Sequence, residues 1–203
     1  MGMCDSLIKM DIARNCADPL AMGFEDQGIL INRKDVDFGA ITFNEDYTNV
    51  VKSFVLKKGA KGYLVQQNGS KPFNGTNKTV EVSEALGASV TSAVHFVLPD
   101  HSPALLDGVV DPILNGDFIF IAYNKHKGLK NAETPGGAAF EVYGFYQGLK
   151  ISEGGLDRYS DETGGGWNVT LTETRAPKAG LFLWDTDYAT TETMVNALLE
   201  QAV

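Results

Sequence analysis

Trp167-Asn168-Val169-Thr170-Leu171-Thr172 places an apolar side chain at every second position, and a period of two marks a β-strand with one buried and one wet face. Upstream, Phe140-Glu141-Val142-Tyr143-Gly144-Phe145-Tyr146 reads as another strand, which passes through Gln147-Gly148 into Leu149-Lys150-Ile151. A glycine-rich tongue from Gly154 to Gly166 separates the two pieces. Downstream, Leu181-Phe182-Leu183-Trp184 gives one more strand. After Asp185-Thr186-Asp187 comes an amphipathic helix, capped near Thr190 or Thr191, with Met194, Val195, Leu198 and Leu199 on one face. The last third of the chain is therefore strand, glycine turn, strand and one short helix, an arrangement suited to pairing edges with neighbours.

The β pattern extends back to Gly28 through short β-branched and aromatic runs: Ile29-Leu30-Ile31, Ala40 to Phe43, Val50 to Leu56, Gly62 to Val65, Thr79 to Val82 and Ala88 to Val97. Gln66 to Lys78, with Asn68-Gly69, Asn74-Gly75 and Pro72, reads as a loop or a long hairpin tip. Ser102-Pro103 is an N-cap with proline at the first helical position, and the helix is expected to stop by Asp111-Pro112, because a residue before proline avoids helical geometry. Phe118 to Tyr123 is the most apolar strand, expected to be buried on both faces. Asn124 to Gly137 is a basic, glycine-bearing connection without periodicity, expected to become ordered only in an assembly. Residues 1–27 read as an N-terminal arm, with Ser6 capping a short helix over Leu7 to Met10, and residues 28–203 as a single β domain. The fold class is mainly β: a β-sandwich or partly closed β-barrel with one or two short flanking helices.

Charge narrows the function. With 17 basic and 26 acidic residues the chain carries a formal charge of −9, and its lysines and arginines are scattered, whereas gripping a phosphate backbone needs them clustered. Tight DNA or RNA binding is not expected. No stretch approaches the roughly 18 apolar residues of a membrane span, so no membrane partner is expected. The start, Met-Gly-Met-Cys-Asp-Ser, lacks the basic end and apolar run of a signal peptide. In an unexported chain Cys4 and Cys16 are expected to be reduced, and the sequons at Asn68, Asn74, Asn77 and Asn168 to be compositional.

Chemistry-bearing constellations are sparse. His95, His101 and His126 are separated and read as structural. No nucleophile elbow occurs, and the glycines at 154, 155 and 164 to 166 lack the lysine and following helix of a phosphate loop. Asp157, Asp161 and Glu162 are raw material for a hard-cation site, but their spacing matches no EF-hand and the bland reading is a solvated loop. Phe140, Tyr143, Phe145, Tyr146, Trp167, Phe182 and Trp184 are either a stacking platform or core, and without basic charge nearby core is the reading. No catalytic residue, cofactor or metal is expected, and no enzymatic activity.

One resemblance runs over most of the chain. Cys16-Ala-Asp-Pro-Leu20, Gly28-Ile-Leu-Ile-Asn32 with the acidic turn Asp35-Val-Asp37, Phe140-Glu-Val-Tyr-Gly144 with Gly148-Leu149, and Trp184-Asp-Thr-Asp-Tyr-Ala-Thr-Thr191 resemble virion structural proteins of the crAss-like phages of gut Bacteroidetes and their tailed relatives. The resemblance implies a tail-tube-like or connector-ring subunit in the virion, assembled in the bacterial cytoplasm. It further implies a six-fold or twelve-fold homo-oligomeric ring, adjacent tail or neck proteins as partners, and passage of DNA through the channel without sticking. In that setting Leu7, Ile8, Met10, Ile12, Lys125, Lys127 and Lys130 are expected at subunit interfaces, and Glu81, Glu141, Glu173, Asp157, Asp161 and Glu162 on the channel wall. The alternative is a carbohydrate- or host-binding β module on a head fibre or spike.

Overall fold

The computed structural model describes residues 8, 10–12, 21–84, 87–125 and 138–200. Its strands are β1 (Phe24–Asn32), β2 (Thr42–Phe43), β3 (Val50–Ser53), β4 (Tyr63–Gln66), β5 (Asn77–Ser83), β6 (Gly87–Leu98), β7 (Phe118–Asn124), β8 (Phe140–Tyr143), β9 (Lys150–Leu156), β10 (Trp167–Ala176) and β11 (Leu181–Leu183). They form a seven-stranded sheet in the order β2-β3-β11-β8-β7-β1-β4 and a four-stranded sheet in the order β5-β6-β10-β9. The result is a β-sandwich with short flanking helices, and neither sheet closes into a barrel. β1 starts at Phe24, so the end of the expected arm already belongs to the sheet.

The centre of the larger sheet is buried on both faces, as the unbroken apolar run of β7 requires. Ile119, Ile121 and Tyr123 point to one side, into a core shared with Ile29, Ile31, Phe140, Val142, Leu181, Leu183 and helix residues Val195 and Leu198. Phe118, Phe120 and Ala122 point to the other side and meet Val94, Phe96, Val169 and Leu171 of the smaller sheet. Strict alternation divides one strand between two cores. The smaller sheet is buried on one face only, and the alternation read in β6 and β10 is the pattern of that single dry side.

One expectation needs correction here. The helical segment does not stop at Asp111-Pro112: α1 (Pro103–Leu105) runs into a π turn (Leu106–Val110) and then α2 (Asp111–Asn115). In a regular helix the Pro112 ring would collide with the carbonyl four residues back. The π turn widens the backbone there, with the Asp111 N–H reaching back to the Leu106 carbonyl, and the proline enters as the first turn of a new helix. Of the two readings of Gln66 to Lys78, the structure has the loop: it leaves β4 of the larger sheet at Gln66 and enters β5 of the smaller one at Asn77. β5 pairs with β6 only as far as Asn77 opposite Ala93, and beyond that point the loop closes the edge of β6. The Gln67 side chain both donates to and accepts from the backbone of Val97, at 2.8 Å each way. Phe73, held at a positive φ of 55°, drops into the core with its ring centroid 5.2 Å from that of Phe120.

α3 (Tyr188–Ala197) packs on the far face of the larger sheet through Thr191 and Val195, with Leu198 just beyond its end also buried. Its cap is Asp187, not Thr190 or Thr191: the carboxylate accepts the Thr190 N–H at 2.7 Å. That backbone hydrogen bond, reinforced by the Thr190 side chain, holds the Asp187 carboxyl below the usual carboxylate range. A depressed folded-state pKa means that the cap stabilises above the unfolded carboxylate pKa and is lost as pH falls through the folded one. Asp187→Ala is therefore expected to lower the melting temperature at pH 7, and the gap to the parent chain should close on acidification. Melting curves recorded from pH 7 down to pH 3 check this, and a gap independent of pH would mean that the charge of the cap is idle.

Candidate functional site

The most heavily coordinated side chain inside the sandwich is a carboxylate. Glu173 is 4% exposed and sits on β10 in phase with Val169 and Leu171. One carboxylate oxygen accepts the N–H groups of Tyr146 and Gln147 at 2.9 and 2.7 Å, and the other accepts the Gly144 N–H at 3.1 Å and the Ser92 hydroxyl at 3.3 Å. Gly144 and Gly148, both at φ +80°, give the 144–148 turn the left-handed backbone that aims these N–H groups inward. Immediately after Glu173 the strand bulges, with Arg175 at φ 60°.

Glu141 lies in the same inter-sheet seam. Its carboxylate takes Asn124 Nδ2 at 2.8 Å, the Tyr143 hydroxyl at 2.9 Å and Lys78 Nζ at 3.1 Å, while the lysine ammonium also lies 4.4 Å from the centre of the Tyr143 ring. Burial, with the charge of Glu141 second, pushes the Tyr143 phenol far above its ordinary pKa, so it remains a donor. Every strong partner of Glu173 and Glu141 is internal. This corrects their expected place on a channel wall: both brace one sheet against the other. Glu173 was detectable in the sequence, since stepping by two from Trp167 through Val169 and Leu171 lands on it.

The other expected wall residues are exposed. Glu81 accepts the Thr91 hydroxyl on the wet face of the smaller sheet. That face continues in Thr79, Asn168, Thr170, Thr172 and Ser152, with Glu153 and Lys150 toward its β9 edge. Asp157, Asp161 and Glu162 are exposed in the turn joining β9 to β10, and among the described residues no three metal-ligating side chains gather to hold an ion. His95 bonds Asn168 Oδ1 through Nε2 at 2.5 Å, and His101 Nδ1 accepts the Trp167 indole N–H at 3.1 Å. Both are partnered on the surface of the sheet, and neither faces a nucleophile.

Among the exposed apolar side chains of the described residues, two groups stand out. β5 is an edge strand of the smaller sheet, and its Val80 and Val82, which are in phase with the core, stand 68% and 83% exposed. In the arm, Ile8, Met10 and Ile12 are 83%, 79% and 95% exposed. Lys125 is part-exposed and its N–H bonds the Gly23 carbonyl, whereas Leu7, Lys127, Lys130 and His126 lie outside the described residues. Comparison with protein-family models, with curated proteins and with solved structures finds no match to this chain.

Proposed function

We propose that this chain is a self-assembling virion structural protein: a tail tube or tail/neck ring subunit that lines or surrounds the channel for DNA. The observation that carries the reading is edge strand β5 of the β5–β6 hairpin, whose core-side valines Val80 and Val82 are bare in the single chain, a surface suited to being covered by another. The wet face of the smaller sheet is compatible with a channel wall. It is made largely of hydroxyl and amide side chains with Glu81 and Glu153, with Lys150 at the β9 edge, so it offers phosphates little to hold. Glu81, Asp157, Asp161 and Glu162 remain the acidic wall candidates.

The sizes of the terms say what else is needed. Covering two valines is worth roughly 1.5–3 kcal/mol each, which only matches the lower end of the 4–15 kcal/mol or so that association costs. A ring of this chain needs a second contact per neighbour.

Light scattering on the eluting protein together with negative-stain images provides the test. A closed ring or tube is expected, and Val82→Asp should yield a folded chain of lower mass. A monomer at the highest soluble concentration would overturn the reading in favour of a carbohydrate- or host-binding module.

A further inference from the structure

The arm carries Ile8, Met10 and Ile12 at alternate positions, with Lys9 and Asp11 between them. That is the pattern of a half-buried strand rather than of the helix first expected over this stretch. Ile8 and residues 10–12 lie in neither helix nor strand, and all three apolar side chains face solvent. Ile8, Met10 and Ile12 have the spacing of a strand, and among the described residues they join no sheet.

The smaller sheet has an edge of matching chemistry. β9 is its outer strand, so among the described residues one side of its backbone has no ladder partner. Beneath it runs a groove of about 220 Å³ lined by Val110, Ile113, Leu114, Ile151, Gly154 and Trp167. Leu114 is 54% exposed there. Gly154 leaves space, since even a Cβ placed on it meets nothing closer than 3.4 Å.

We propose that the arm of a second copy adds to the free edge of β9 as an antiparallel strand and lays its apolar side chains in this groove. This rests on the reading of the chain as a self-assembling subunit, and it supplies the second contact that the hairpin requires. Against β10, Ser152 is the extra residue of a bulge, with Glu153 opposite Thr170, Ile151 opposite Leu171 and Lys150 opposite Thr172. An arm in the same register sets Ile8 over Gly154 and Met10 beside Ile151 on the dry side. On the wet side it sets Lys9 against Glu153 and Asp11 against Lys150, so both charged positions meet an opposite charge. Parallel addition with the same residues opposed brings Lys9 to Lys150 and Asp11 to Glu153, like against like. Charge therefore selects the direction. β5 and β9 are opposite edges of one sheet, so the hairpin contact and the arm contact do not compete.

The test uses the full chain in a Cys4→Ser, Cys16→Ser background. One copy carries Ile8→Cys, and a second copy, of different size through a fusion tag, carries Leu114→Cys; the two are mixed and mildly oxidised. A disulfide joining the two sizes is expected. The triple variant Ile8→Asp, Met10→Asp, Ile12→Asp changes only exposed positions, so its circular dichroism and melting temperature should match the parent while its assembly constant weakens by at least about tenfold. Assembly untouched by the triple variant, or a link that forms only when both cysteines are on one copy, overturns the arm contact and leaves the ring reading standing. A parent chain that stays monomeric overturns both.

Discussion

Glu173→Leu is expected to lower the unfolding free energy by about 3–5 kcal/mol. The leucine fills the space but accepts nothing, so the N–H groups of Gly144, Tyr146 and Gln147 lose their common acceptor. A buried donor left without a partner costs roughly 1–3 kcal/mol, and partial access of water to the turn recovers some of the total. For a chain of this length each kcal/mol moves the melting temperature by about 2–4 °C, so a fall of about 6–20 °C is the readout. Glu173→Gln retains one acceptor oxygen and turns its NH2 toward other donors, so it should fall between parent and leucine variant. If the leucine variant melts within about 2 °C of the parent, the carboxylate is not what holds the turn.

Phe120→Ala should cost about 3–5 kcal/mol by cavity formation. The ring is fully buried at the centre of β7. It lies against Phe73 and so close over Gly28 that a Cβ on that glycine would fall 2.3 Å from its Cζ. Because Phe73 anchors the loop that closes the edge of β6, the loss should also be seen locally, as faster protease cleavage between Gln67 and Thr76. Equal melting temperatures and equal cleavage rates in variant and parent would remove Phe120 from the centre of this core.

The sandwich was legible because its strands obey simple periods. The unbroken apolar run of β7 announced two-sided burial, and the alternation of β10 announced a single dry face. Legibility failed where one interaction overrode a local rule. Pro112 was read as a stop because local sterics disfavour it in a helix, and the π turn that accommodates it leaves no simple mark in the sequence. Phe73 was read as part of a polar loop because its partner, Phe120, is far away in the chain. Glu173 and Glu141 were read as wet because they are acidic, although the phase of Glu173 argued otherwise; the backbone N–H groups that justify its burial belong to a glycine turn on another sheet. The expectations about Lys127 and Lys130 fall outside the described residues.

β11 lies between β3 and β8, parallel to the former and antiparallel to the latter. In the ladder order of the larger sheet, β2 and β3 reach the other strands only through Leu181–Leu183, a segment synthesised more than half the chain after Val50. A nascent chain halted before this segment has emerged from the ribosome holds the two early strands with no place to dock, and Val51 and Phe54 without their cover. The larger sheet is thus completed only once β11 is available, and a product truncated before it is marked by bare sheet edges, which are the features that chaperones and proteases act on. The same threading acts as a length check: a chain not read through β11 lacks a finished sandwich.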